Sequence, residues 1–110
     1  MRYGIALVAV LVAGGALTAC APKETRVVQG ISIVEDKAGL WARATLPADS
    51  AMKIALARVP GGKITQAELE EENDRLIYSF DITVVGKKGT DEVHVDARTG
   101  EVVKVEHEDE

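Results

Sequence analysis

Asp96, Arg98 and Thr99 lie within one short stretch, VDARTGEVV, from Val95 to Val103. A carboxylate, a guanidinium and a hydroxyl this close would suit proton transfer or nucleophilic attack, provided a base stood beside the nucleophile. Glu92, His94 and Glu106 are a second candidate group, one imidazole and two carboxylates of the kind that collect a cation. Cys20 is the third candidate, as the single cysteine of the chain. What each can do depends on the elements that hold it.

Cys20 ends a leader-like segment. Met1-Arg2-Tyr3-Gly4 is a short basic start, and IALVAVLVAGGAL, Ile5 to Leu17, carries no charge. That run is shorter than the about 20 residues a membrane-spanning helix needs, and it has the length of a secretory apolar region. It closes in LTAC, Leu17 to Cys20. This resembles the bacterial lipobox, where the signal is cut before the Cys and the Cys takes up lipid; the alternative is a plain signal peptide with an incidental Cys. A lone Cys cannot form an intramolecular disulfide and is a liability in an oxidising compartment, which lipidation removes. Each buried acyl methylene adds about 0.8 kcal/mol of membrane affinity, so several chains anchor firmly. The expected place is the bacterial cell envelope, lipid-anchored on the periplasmic side. In a Gram-negative cell Ala21, in place of an Asp retention signal, favours the outer membrane.

The chain has 110 residues, room for one small domain. Aromatics make up only 4%, so the core has to be built from Val, Ile, Leu and Ala. The formal charge of -5 argues against a nucleic-acid partner, which needs a basic stripe. The expected organisation is a signal over residues 1–19, the lipidated Cys and a tether over 20–37, a compact domain over 38–107 and an acidic tail over 108–110. RVVQGISIV, Arg26 to Val34, fits either a flexible linker or an extra strand.

EDKAGLWARA, Glu35 to Ala44, has acids before its Arg, which suits a short helix, although Gly39 weakens it. Trp41, the only Trp, is expected as a lid on the core rather than a ligand platform. TLPADSAMKIALARVPGG predicts the main helix, with Thr45 as its cap and Pro47 in the first turn. Ala48, Ala51, Met52, Ala55, Leu56 and Val59 fall on one face, and Pro60-Gly61-Gly62 ends it. GGK, Gly61 to Lys63, resembles the end of a phosphate loop, but Ile64 follows where a Ser or Thr is needed and a helix precedes.

From Ile64 the apolar period becomes two. Ala67 and Leu69 share a face with Glu71, while Gln66, Glu68, Glu70 and Glu72 share the other; Leu76, Tyr78, Phe80, Ile82 and Val84 follow after an Asn73-Asp74 turn. Pairing Glu72 with Arg75 sets Leu69 against Tyr78 and Ala67 against Phe80. Closing the GKKG loop with Val85 against Thr90 sets Ile82 against Val93 and Phe80 against Val95. A three-residue loop at Arg98-Thr99-Gly100 sets Val95 against Val103 and Val93 against Val105. All three hairpins then place their apolar residues on one face, which a one-residue slip would break. The expected fold is α+β: a short helical segment and one main helix on a four-stranded antiparallel meander.

VDARTGEVV thereby becomes a turn. Gly100 supplies the positive φ that closes it and Asp96 accepts from its backbone amides. From about Ala38 to Glu106 the chain resembles a PepSY domain, the small module also found in propeptides of thermolysin-like metallopeptidases. The resemblance rests on LWARATLPADSAMKIALARVPGGKI, AELEEENDRLIYSFDI and above all EVHVDARTGEVVKVE, with Asn73-Asp74 where the family usually has a Gly. It implies a helix on a four-stranded sheet, a role in restraining or tuning extracytoplasmic peptidases, and no catalytic residues.

The domain is therefore expected to be a protein-binding module and not an enzyme, without cofactor, touching the bilayer through acylated Cys20 and a peptidase or other envelope protein elsewhere. The alternative is a small-ligand or metal-binding lipoprotein. The same register puts Asp81 opposite His94, Glu92 between Thr83 and Glu106, and Ile77, Val85 and Val102 on the outer face as partner contacts. Glu92, His94 and Glu106 are weighed there as metal ligands against a simple solvated face, and the tail EHEDE reads as a frayed acidic end.

Overall fold

The structure, a computed structural model, describes residues 21–109. The expected signal segment and Cys20 lie outside the described residues. Among the described residues are six strands, one α-helix and one 3-10 turn: β1 Thr25–Val28, β2 Ile31–Glu35, the 3-10 turn Trp41–Arg43, α1 Ala48–Arg58, β3 Gly62–Glu72, β4 Arg75–Val84, β5 Thr90–Asp96 and β6 Val102–Glu108. They form one sheet in the order β1-β2-β3-β4-β5-β6. No helix among the described residues is long and apolar enough to cross a membrane.

The α+β class stands, with a mixed six-stranded sheet in place of the four-stranded antiparallel meander. Arg26 to Val34, open between linker and strand, falls in the β1–β2 hairpin; Gln29 and Gly30 at its turn both have positive φ, as a two-residue turn of type I′ requires. β2 then runs parallel to β3, with Ile33 beside Ala67 and Glu35 beside Leu69. Residues 25–35 are thus sheet, where a tether was expected. Ile33 is fully buried, so this hairpin extends the core as well as covering the edge of β3.

The short helix expected over Glu35 to Ala44 is absent as such. Glu35 ends β2, Gly39 has φ +94°, and only Trp41–Arg43 coil into a 3-10 turn. The cause is the Glu35 side chain, only 2% exposed, which turns inward and accepts from the amides of Glu24 (2.7 Å) and Trp41 (3.1 Å). Trp41 is a buried lid, its Nε1 donating to the Glu24 carbonyl (3.0 Å) and the Arg26 guanidinium 4.5 Å above its ring.

α1 buries Ala51, Met52 and Ala55, with Val59 buried at its C-cap and Ala48, Ile54 and Leu56 packed at the margin. Its Ala-rich face allows a close approach to Tyr78, Phe80, Ile82, Val93 and Val95, all with little or no exposure. Burying each large side chain contributes roughly 1.5–3 kcal/mol, so this face is the main source of cohesion. Thr45 is not the helix cap. Pro47 occupies that position without a side-chain bond, and the Thr45 amide donates instead to the Ala97 carbonyl (3.1 Å).

Gly62 lies where α1 turns into β3. A Cβ there would collide with Ile82 Cγ2 and stand 2.8 Å from the Val59 carbonyl, which also accepts the Gly62 amide. The backbone contact cannot swing away, so Gly62→Ala is expected to cost about 1–3 kcal/mol through overpacking. Urea denaturation measures this, and an unchanged midpoint would contradict the contact. The GGK sequence is thus a packing feature of the helix–strand junction.

The β3–β4 register is as expected: Glu72 opposite Arg75, Leu69 opposite Tyr78 and Ala67 opposite Phe80, with Asn73 and Asp74 both at positive φ. The β4–β5 register is shifted by two residues. Phe80 faces Val93 and Tyr78 faces Val95, so the apolar face is kept but the partners change. The reason is a tight turn at the start of the loop: the Lys87 amide donates to the Val84 carbonyl (3.0 Å), which puts Val85 in the turn, 97% exposed.

At β5–β6 the loop has four residues, Ala97 to Gly100, closed by the Asp96 amide on the Glu101 carbonyl (2.8 Å). The additional loop residue is absorbed by a bulge between His94 and Val95. Val93 faces Val105 as expected, but Val95 faces Val102, so Val102 packs at the core margin.

Candidate functional site

β3, β4 and β5 carry Glu68, Glu70 and Glu72, then Ile77, Ser79 and Asp81, then Glu92, His94 and Asp96 on the face away from α1. This follows from strand alternation against the buried Leu69, Phe80 and Val95. His94 is its centre, 2% exposed. With the two-residue shift it faces Ser79 rather than Asp81, and Lys104 on the other side. Asp81 faces Glu92 instead, and Thr83 does not.

The structure brings Glu92 and His94 together: His94 Nε2 lies 2.8 Å from Glu92 Oε2. Glu106 does face Glu92 across β5–β6, but Lys104 Nζ sits between them, 3.6 Å from Glu92 and 3.3 Å from Glu106. The expected trio of Glu92, His94 and Glu106 is therefore not one ligand group. His94 converges with Glu70 and Glu72, whereas Glu92 converges with Glu106 and Glu108. Glu70 and Glu72 could have been found from the alternation in AELEEEN. The error in the β4–β5 register concealed them by pointing His94 at Asp81.

Charge on this face is unevenly compensated. The hydrogen bond from His94, with Lys104 nearby, holds the Glu92 carboxyl below its usual range against the effect of burial. Burial pushes Glu70 up, reinforced by Glu68, Glu72 and Asp36. Burial and the Glu92 charge push Asp81 up as well. On the rim of the core face Glu71 binds Arg43 (2.8 Å) and Lys37 (2.9 Å), which bring it down to about 2. His107 near the end of β6 is exposed and held between Asp91 and Asp109, which raise it.

Asp96 and Gly100 lie at the turn between β5 and β6. Asp96 Oδ1 accepts from the amides of Arg98 (2.7 Å) and Thr99 (2.9 Å), and Gly100, at φ +83°, donates to the Asp96 carbonyl (2.9 Å). Arg98 and Thr99 are exposed at the tip with no nucleophile–base pair between them. The Ala97 carbonyl receives both the Thr45 and the Leu46 amides, so the turn also anchors the entry to α1.

Of the residues expected as partner contacts on the outer face, Ile77 is 3% exposed and Val102 faces the core margin. Exposed apolar groups lie elsewhere: Val85 in its turn, Val27 on β1 (68%) and Val105 on β6 (46%). The last two lie on the strands at the two ends of the sheet.

A helix is followed by a four-stranded antiparallel meander, with a tight Asp-to-Gly turn before the last strand. The family model described as the peptidase propeptide and YPEB domain, PepSY, matches residues 45–106, and the chain belongs to that family. Comparison with curated proteins and with solved structures finds no match. The matched span begins just before α1 and ends in β6, so the β1–β2 hairpin, Glu35 and Trp41 are additions that precede it.

Proposed function

We propose that this protein is a membrane-anchored extracytoplasmic PepSY module that binds, and thereby restrains or tunes, an envelope peptidase. The family match over residues 45–106 carries the reading, since the family takes its description from peptidase propeptides. The lipobox-like LTAC segment supports the anchor, with Cys20 as the lipidated residue and the bilayer as the first partner. β1 and β6 offer strand edges with exposed Val27 and Val105, the kind of surface that takes an added strand from a partner. The module acts by binding, without cofactor or bond-making step.

The purified protein added to envelope peptidases is expected to slow cleavage of a peptide substrate by at least one of them in a dose-dependent way. Unchanged rates across a panel would overturn the regulatory reading. The N-terminal peptide of the mature protein should carry the mass of an acylated cysteine, and an unmodified Cys20 would remove the anchor.

A further inference from the structure

We propose that Glu70, Glu72 and His94 form a site for a divalent first-row transition cation of the zinc class. The site is independent of the peptidase reading and uses the sheet face opposite α1. One oxygen from each carboxylate and one ring nitrogen of His94 lie within 4.8 Å of one another. An acidic cluster alone would carry no such conclusion; the state of His94 does.

Both ring nitrogens of His94 are withdrawn from solvent. Nε2 meets Glu92 Oε2 at 2.8 Å, and a carboxylate can only accept, so the ring donates there. Nδ1 is buried with no hydrogen-bond partner. Its nearest charged atom is Glu72 Oε1 at 3.3 Å. In a neutral ring Nδ1 is then an acceptor facing an acceptor. A cation between them gives both lone pairs a partner.

Glu92 is placed as the outer carboxylate that orients a metal-bound imidazole, the usual companion of a ligating His. Ser79, opposite His94 on β4, is too small to block the ring from leaning toward β3. Glu72 sits at the end of β3 and is half-exposed, so its carboxylate has freedom to close on the ion. A cleft of about 340 Å³ opens beside Glu72 and His94, with Arg75 and Lys104 also on its wall and Glu70 outside it, and gives room for a completing water and a way in. Three donors including an imidazole suit zinc and its neighbours, whereas calcium asks for six to eight oxygens. The second carboxylate cluster, Glu92, Glu106 and Glu108, lacks a buried ligand and has Lys104 within it.

The competing arrangement is an imidazolium held between Glu92 and Glu72 with no metal. Calorimetric titration of the full-length protein in detergent with zinc chloride separates the two. The expected result is one tight site, weakened about 10-fold or more by Glu92→Gln and at least as much by Glu70→Gln and Glu72→Gln, with Glu106→Gln and His107→Ala unchanged. In the unmutated protein, nitrogen NMR should show the His94 Nδ1 resonance moving on zinc addition while Nε2 stays protonated. This readout does not depend on any variant folding. Absence of binding, or binding abolished by His107→Ala with the His94 resonances unmoved, overturns the site.

Discussion

Asp96→Ala is expected to destabilise the domain by about 2–3 kcal/mol. The carboxylate accepts two short backbone bonds from Arg98 and Thr99 and lies 3.5 Å from Arg75, which also reaches Glu101 at 3.2 Å. Hydrogen bonds to a charged group contribute roughly 1.5–3 kcal/mol each, less where water can take the carboxylate's place, as it can beside the exposed Arg98 and Thr99 although Asp96 itself is buried. For a domain of this size each kcal/mol lowers Tm by about 4–8 °C. Loss of the turn should also reach α1, because Ala97 accepts the Thr45 and Leu46 amides. Asp96→Asn keeps one acceptor oxygen and should lose about half as much. Circular dichroism on heating checks both, and wild-type melting of Asp96→Ala would contradict the role of the turn.

The same carboxyl gives stability a pH dependence. Burial pushes Asp96 up, but the Thr99 and Arg98 amides and Arg75 outweigh it and hold the folded value below the ordinary 3.8. A depressed acid stabilises the fold above its unfolded value, and that stability is lost as pH falls through the folded value. Glu35 behaves likewise below 4.5, and Glu71 continues the loss down to about 2. Glu70 and Asp81 are raised, so protonating them acts in the opposite direction. Stability should therefore decline below about pH 4.5, and the part due to Asp96 should vanish in Asp96→Ala.

Glu35→Ala has the second large expected effect, on a part of the fold outside the family match. Its carboxylate is the acceptor for the Glu24 and Trp41 amides and is almost fully enclosed. Alanine leaves the buried Trp41 amide and the partly buried Glu24 amide without that partner, and glutamine would direct its own N–H toward one of them. The β1–β2 hairpin and the Trp41 lid should detach together. Tm should fall by roughly 10 °C or more, Trp41 emission should shift to the red, and β2 amides should exchange quickly while β4 and β5 stay protected. Unchanged Trp41 emission would show that the lid is held by something other than Glu35.

Much of the fold was legible because period two and a buried face constrain one another. Leu69, Tyr78, Phe80 and Val93 had to share a face, and the Asn73-Asp74 turn set the β3–β4 register to the residue. A shift of two residues preserves that face, so nothing in the pattern could reject it at β4–β5. The Val84–Lys87 turn decided it, through a backbone bond that composition does not encode. The β1–β2 hairpin was hidden for a different reason. Its apolar residues are few, and its attachment depends on Glu35, a residue whose type signals solvent. The candidate site was half legible: His94 and Glu92 were singled out, but Glu70 and Glu72 depended on the register that failed.

Photo-crosslinking in living cells would capture whatever protein the outer strands touch. A photoreactive residue at Val27 or Val105, the exposed apolar positions on the two outer strands, probes the edges through which a partner would add a strand. If the module restrains an envelope peptidase through a strand edge, a covalent adduct with that peptidase is expected from at least one of these positions. Adducts lacking any peptidase, or none from either strand, would contradict it.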